Sequence, residues 1–280
     1  MNYWSVSFRF RVLGSGSTGN STLVEADGTR ILIDAGLGPR SLAERLQDAG
    51  VDPASLSAIF VSHEHGDHAR GAAAFSAKWG VRLGGSRGTY AAAGFGAETI
   101  AGYDTLAAGT TRRVGSLSVT AVPVPHDATE PLAFVVAGDG GCLGHATDFG
   151  HVSRRMVEAF STCDALLMES NYDPAMLRDG PYPWSLKERI LSPLGHVSND
   201  EIGHFLGRSL GESCRTVVLA HLSQKSNHPE LALMTAETAL RRRGRTEVRI
   251  QLTSAEGTGW ITVSAPKTGS GAGSKQLRLF

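Results

Sequence analysis

Apolar positions along this chain fall into short runs, some alternating with polar residues and some unbroken, each closed by glycine or a polar turn. Phe8-Arg9-Phe10-Arg11-Val12-Leu13 alternates as an edge strand does, with one face toward a core. Residues 22–26 and 30–34 read as two further strands, and Asp27-Gly28 between them is a hairpin-turn dipeptide. The same logic predicts strands at 57–61, 81–83, 117–124, 132–136, 141–146, 165–169, 216–220, 247–253 and 260–263. Between them the spacing shifts to that of helices. Ser41 is the expected N-cap of a helix that carries Leu42, Leu46 and Ala49 on one side and ends at Gly50. Further helices are predicted over 69–79, 153–160, 199–210 and 230–243. Strands interleaved with helices, yet joined by many hairpin signals, predict an α/β (α+β) fold: two mixed β-sheets face to face with helices outside, an αββα sandwich.

A chain of 280 residues with 41% hydrophobic positions can build one such unit, so 1–263 is expected to be a single domain. From Ser264 to Ser274 the composition turns to glycine, serine and alanine, which predicts a flexible linker and makes 264–280 a tail. Lys and Arg number 27 against 27 Asp and Glu, so no overall field draws the molecule to nucleic acid, and phosphate binding must rest on local groups. Arg112-Arg113, Arg154-Arg155 and Arg241-Arg242-Arg243 with Arg245 are the available basic clusters, each of which also reads as a solvated face. Cys142, Cys163 and Cys214 are odd in number and set in apolar surroundings, as reduced core cysteines of a cytoplasmic protein are. No run reaches membrane-spanning length and no basic-then-apolar leader opens the chain, which predicts a cytoplasmic protein without a membrane partner.

Candidate chemistry is concentrated in Ser62-His63-Glu64-His65-Gly66-Asp67-His68, three imidazoles and a carboxylate within six positions. The tract joins an apolar strand to an alanine-rich helix. In the extended part, residues two apart face the same side, so His63 and His65 can share one cation; the entering helix can turn Asp67 and His68 toward a second. The loop Gly14-Ser15-Gly16-Ser17-Thr18-Gly19-Asn20-Ser21 offers Ser15, Ser17, Asn20 and Ser21 as phosphate contacts through hydroxyls and free backbone N–H groups, and reads equally as a tight inter-strand loop that lines the metal edge.

The tract resembles the HxHxDH signature of the metallo-β-lactamase fold, and later motifs agree with it. His126 in Pro125-His126-Asp127, Asp148 in Thr147-Asp148-Phe149 and His221 in Ala220-His221-Leu222 match that family's remaining metal ligands. The resemblance implies His63, His65 and His126 on one divalent ion, Asp67, His68 and His221 on a second, and Asp148 between them, the metals being Zn²⁺ or Mn²⁺. The glycine and serine loop, Met168-Glu169-Ser170-Asn171-Tyr172-Asp173, Gly195-His196-Val197-Ser198-Asn199, and His221-Leu222-Ser223 with Asn227 together resemble the YycJ/WalJ group of this fold. That group is associated with 5′ to 3′ exonuclease action on DNA. Glu169 and His196 also resemble elements of tRNA 3′-processing ribonucleases, which act near the scissile phosphate. The resemblance implies a phosphodiesterase that uses a metal-bridging hydroxide, with Asp67 orienting or deprotonating the water and His196, positioned by Glu169, protonating the leaving oxygen; a histidine at this point equally reads as one that caps a helix or orders the Ser198-Asn199 turn. It adds Asn171, Ser198 and Asn199 to the candidate substrate contacts, and DNA is the expected partner ahead of RNA.

The last five residues, Gln276-Leu277-Arg278-Leu279-Phe280, resemble the peptide by which bacterial replication and repair proteins dock on the sliding clamp. Leu277, Leu279 and Phe280 would fill an apolar pocket while Gln276 hydrogen-bonds. Two other readings use the same residues: hydrolysis of a small ester, thioester or lactam, or a non-catalytic protein that binds a clamp or regulator and keeps metal for stability.

Overall fold

The computed structural model describes residues 8–263; the tail with its Gln276–Phe280 peptide lies outside the described residues. Strands, numbered in chain order, form two seven-stranded sheets. The first holds β1 (Phe8–Gly14), β2 (Ser21–Ala26), β3 (Thr29–Ile33), β4 (Ala58–Phe60), β5 (Leu83–Gly85) and β6 (Tyr103–Thr105) in that order, with the last strand, β14 (Ile261–Val263), paired to β1. The second runs β7 (Thr111–Val114), β8 (Leu117–Pro123), β9 (Leu132–Gly138), β10 (Gly141–Ala146), β11 (Ala165–Glu169), β12 (Thr216–Ala220) and β13 (Arg249–Leu252). Both are mixed: hairpins β1–β3 and β7–β10 are antiparallel, whereas β3–β6 and β10–β13 are parallel. Asp27 and Gly28 both have positive φ, as a two-residue turn that matches strand twist requires.

The unbroken apolar runs are explained by burial on both faces. In β11, Ala165 and Leu167 point between the sheets while Leu166 and Met168 point at the helices; in β12, Val218 and Ala220 against Val217 and Leu219 do the same. Phe10, Phe60, Phe134 and Val119 fill the space between the sheets. Over the first sheet, α1 (Pro39–Asp48) and, after the four-residue α2 (Gly66–Ala69), α3 (Ala72–Trp79) bury Leu42, Leu46 and Phe75. Beyond β5 comes α4 (Arg87–Ala92). Over the second sheet, α5 (Arg154–Phe160) contributes Met156 and Phe160. After α6 (Pro174–Asp179) and α7 (Trp184–Leu191), α8 (Asn199–Arg208) and α9 (Pro229–Arg242) add Ile202, Leu206, Ala236 and Leu240. Two sheets flanked by helices are thus the predicted αββα sandwich. Among the described residues no helix is long and apolar enough to cross a membrane.

Local readings needed two corrections. α1 begins at Pro39 with Gly38 as its cap, not at Ser41, because a proline at the first helical position lacks only an N–H that would be unpaired there anyway. The expected 69–79 helix breaks at Arg70-Gly71, where the chain passes so close to Leu37 that a Cβ on residue 71 would meet its carbonyl oxygen at 2.1 Å. The short helices α4, α6 and α7 and strands β6 and β7, of eight residues or fewer, were not predicted.

His145, outside the predicted ligand set, projects from β10 between the sheets, where its Nε2 lies 3.1 Å from Thr22 Oγ1. Burial is the main reason its pKa falls from 6.5 to about 4. The unfolded chain therefore takes up a proton below pH 6.5 that the folded protein refuses until about pH 4. Stability from this group is full at neutral pH and falls across that window, by roughly 3 kcal/mol in all. Urea unfolding at successive pH values should show the decline, and His145→Gln, which keeps a polar partner for Thr22, should flatten it. An unchanged slope in the variant would show that other groups carry the acid lability.

Candidate metal centre

Every predicted ligand follows the C-terminal end of a strand, and those ends meet at one edge of the two sheets. β4 delivers His63 and His65, β8 His126, β10 Asp148, β11 Glu169 and β12 His221, while β1 and β3 deliver Ser15 and Asp34. Just past the strands the backbone curls sharply. Asp34, Asp148 and His221 have φ of 62°, 59° and 53°, a left-handed conformation that costs a non-glycine residue roughly 1–3 kcal/mol. Such positions persist where surrounding contacts fix them, and here they turn three side chains into a common space. Gly36 serves a related need: a Cβ there would fall 1.6 Å from Asp67 O, so only glycine lets this turn reach the tract.

Three groups of ligand atoms lie side by side. His63, His65, His126 and Asp148 converge within 4.8 Å, Asp67, His68 and Asp148 form a neighbouring group by the same measure, and His221 converges with Asp148, Glu169 and His196 in a third. Asp148 belongs to all three. Its Oδ2 lies 3.5 Å from His63 Nε2 and 2.7 Å from His68 Nε2, while Asp67 Oδ2 lies 3.5 Å from His68 Nε2 and 3.8 Å from His221 Nε2. The rings of His63, His65 and His126 stand edge to face with centroids 4.6–5.1 Å apart. His63 Nε2 is buried without any hydrogen-bond partner, which in a neutral site would be a cost of a few kcal/mol and at a cation is a ligand position. The donor set therefore fits divalent ions.

The outward-facing nitrogens are held. His68 Nδ1 lies 2.7 Å from Asp34 Oδ2, His126 Nδ1 3.1 Å from Gly195 O, His63 Nδ1 3.0 Å from Ser62 Oγ, and His221 Nδ1 2.9 Å from Glu169 Oε1. Partners of this kind fix a ligating imidazole's tautomer and orientation. Asp34 also accepts from the Ser62 N–H and hydroxyl. Sequence reasoning passed over Asp34; its one signal is a carboxylate closing the apolar strand Ile31-Leu32-Ile33. Electrostatics follow from this crowding. Burial pushes the His63 pKa well below its ordinary value, aided by the His68 charge. Burial acts the same way on His68 and His221, but Asp148, helped by Asp34 at the first and Glu169 at the second, overcomes it and raises both, His221 to about 10. For Asp148 burial is outweighed by His221 and His68, which hold the carboxyl well below the usual range.

Beside the ligand atoms, His196 Nδ1 donates to Glu169 Oε1 at 2.7 Å, and Glu169 is wholly buried, its other oxygen accepting from the Phe149 N–H. Burial lowers and Glu169 raises the His196 pKa, with a net rise. Among the described residues His196 Nε2 has no hydrogen-bond partner, which lets it act as a donor. Of the predicted substrate contacts, Ser15, Ser17 and Asn171 line a cavity of about 780 Å³ together with His65, Asp67, Asp148, His196 and His221. Ser15 Oγ accepts from the His221 N–H, and Asn171 Nδ2 donates to His221 O. The others lie beneath this wall. Asn20 accepts from the Gly16 N–H and directs its amide at Asp67 and His68, Ser21 is buried, Ser198 caps α8, and Asn199 is bonded to Ser170 and Asn227.

Residues 29–221 match the family described as the beta-lactamase superfamily domain, and the chain belongs to that superfamily. It is 35% identical over 234 residues to exodeoxyribonuclease WalJ of Streptococcus pneumoniae, covering 82% of this chain and 87% of that protein. It is 34% identical over 244 residues to exodeoxyribonuclease YycJ of Bacillus anthracis, covering 85% and 91% respectively. Within the superfamily these similarities put it in the WalJ/YycJ group that its motifs resembled. Among solved structures, the metallo-β-lactamase fold protein YhfI from Bacillus subtilis superposes with a TM-score of 0.71 at 15% identity over 91% of this chain and 99% of its own. Human tRNase Z, short form, does so at 0.62 and 16% over 91% and 99%. At such identities the likeness is one of fold.

Proposed function

We propose that this protein is a metal-dependent phosphodiesterase that removes nucleotides from the 5′ end of DNA. The observation that carries the reading is the hydrogen-bonded His196–Glu169 pair, which converges with Asp148 and His221 beside the two ligand groups of the His63–His68 tract. His63, His65 and His126 would hold one divalent ion, Asp67, His68 and His221 the other, and Asp148 both, with zinc or manganese suiting these donors. When bound, the ions supply Lewis acidity that activates water near neutral pH and offsets charge on the phosphate. Asp67, whose carboxylate faces the cavity, orients the attacking water. Ser15, Ser17 and Asn171 offer hydroxyl and amide groups to the phosphate oxygens. His196 Nε2–H protonates the leaving oxygen, and Glu169 keeps the ring in the tautomer and orientation that this requires. Exodeoxyribonuclease activity in relatives about a third identical over most of the chain supports the choice of DNA. Incubating the Mn²⁺- or Zn²⁺-loaded protein with 5′-labelled single-stranded DNA, duplex DNA, RNA and a thioester tests it: mononucleotide release from DNA is expected, and thioester hydrolysis without DNA cleavage would replace the reading with a carbonyl hydrolase.

The Gln276–Phe280 peptide is proposed as a docking sequence for the sliding clamp. Deleting 276–280 should abolish clamp pull-down and leave hydrolysis of short oligonucleotides unchanged. Clamp binding that survives the deletion would remove the idea.

A further inference from the structure

The catalytic cavity is polar where Ser15, Ser17 and the ligand residues meet, but one wall is not. Tyr182, Leu186 and Ile190 line it together, all from the loop before α7 and from α7 itself. A phosphate gains nothing from such an apolar surface, and a nucleobase does. Tyr182 and Leu186 pack at their backs on a small core of Tyr172, Leu177 and Ile190, so the half-buried phenol ring is a supported platform rather than a loose side chain. Lys225 Nζ stands over the Tyr182 ring, 5.6 Å from its centroid, and both residues line the cavity. Lys225 forms no ion pair among the described residues, whereas Arg189, the other long basic side chain of this wall, is held by Asp127 at 2.6 Å. An ammonium beside an aromatic platform is the pairing that single-stranded nucleic acid sites use, stacking for the base and charge for the next phosphate. The same segment carries Trp184, Leu191 and Leu194, three of the four large hydrophobics most exposed among the described residues, with Trp184 at 63%. A cavity of about 780 Å³ has the size that encloses a compact organic ligand and not a base-paired stack.

We propose that Tyr182 is the stacking platform for the base of an unpaired terminal nucleotide, with Lys225 on the adjoining phosphate, so that the substrate is a single-stranded or frayed end. The inference rests on the nuclease reading above and adds what selects its substrate. Stacking of one base contributes about 1–3 kcal/mol, which amounts to a preference of roughly 5- to 150-fold. The metal-loaded enzyme should therefore cleave a single-stranded oligonucleotide bearing a 5′-terminal base at least five times faster, in kcat/KM, than one whose terminal nucleotide is abasic. Tyr182→Ala should erase this ratio and Tyr182→Trp keep it, with bound metal unchanged in both. A non-hydrolysable phosphorothioate oligonucleotide with 2-aminopurine at its 5′ end should lose fluorescence on binding the wild type and retain it with Tyr182→Ala. Equal cleavage of base-bearing and abasic ends by the wild type, or quenching that survives Tyr182→Ala, overturns the platform while the nuclease reading stands. Absence of cleavage of any nucleic acid overturns both.

Discussion

Asp148→Asn is expected to leave a folded protein that binds at most one metal ion per chain and has lost phosphodiesterase activity by about 10³-fold or more. The reason lies in the position of this carboxylate. It is buried, it belongs to all three groups of convergent ligand atoms, and its Oδ2 stands 2.7 Å from His68 Nε2 and 3.5 Å from His63 Nε2. Asparagine has nearly the same shape but no charge, so the packing around residue 148 is retained while the anion shared by the convergent ligand groups is lost. Alanine would be a poorer test, because removing the buried side chain altogether would leave His68 and His221 without their partner and destabilise the fold itself by several kcal/mol. Elemental analysis after dialysis gives the stoichiometry, and thermal unfolding in chelator verifies the fold. Two ions retained by Asp148→Asn would show that the histidines and Asp67 hold both metals alone, and that Asp148 has another role.

How much of this centre can be read along the chain depends on how each residue reaches it. His63, His65, Asp67 and His68 are adjacent in sequence, so their common purpose is visible before any fold is known. His126, Asp148 and His221 are single residues after three separate strands, and a lone histidine or aspartate carries no sign of its neighbours; a family resemblance supplied what local pattern could not. Asp34 escaped both routes. Its role exists only because β3 pairs with β4 and its backbone turns left-handed, which brings the carboxylate under Ser62 and His68. The layered fold was easier, since burial on both faces of β11 and β12 imposes unbroken apolar runs. Asn20 and Asn199 mark the opposite difficulty. A polar side chain in a glycine-rich or capping loop is equally suited to a substrate or to the loops beneath it, and their hydrogen bonds to Asp67, Ser170 and Asn227 point beneath. Tyr182 gave no signal because α6 and α7 are too short to show a period.

His196→Ala should lower kcat on DNA by about 10²- to 10⁴-fold with both metal ions retained, the usual contribution of a positioned acid. The leaving group decides whether this is acid catalysis or support of the fold. A 3′-hydroxyl leaves as a strongly basic alkoxide and needs a proton as the bond to phosphorus breaks; p-nitrophenolate leaves without one. Loss of the His196 proton should thus slow DNA cleavage and leave hydrolysis of a p-nitrophenyl phosphodiester within a few-fold of the wild type. Glu169→Gln is the companion variant. Its carboxylate is shared by His196 Nδ1 at 2.7 Å and His221 Nδ1 at 2.9 Å, so the amide would disturb the acid and a proposed ligand together. Its loss should appear in both substrates and in metal affinity, where replacing partners of this kind typically costs 10- to 100-fold. The contrast separates the two roles: a leaving-group-dependent defect in His196→Ala beside a general one in Glu169→Gln fits a proton donor held by a shared carboxylate. Equal losses on both substrates in His196→Ala would instead make His196 a phosphate-binding or structural residue, and the leaving oxygen would have to take its proton from water.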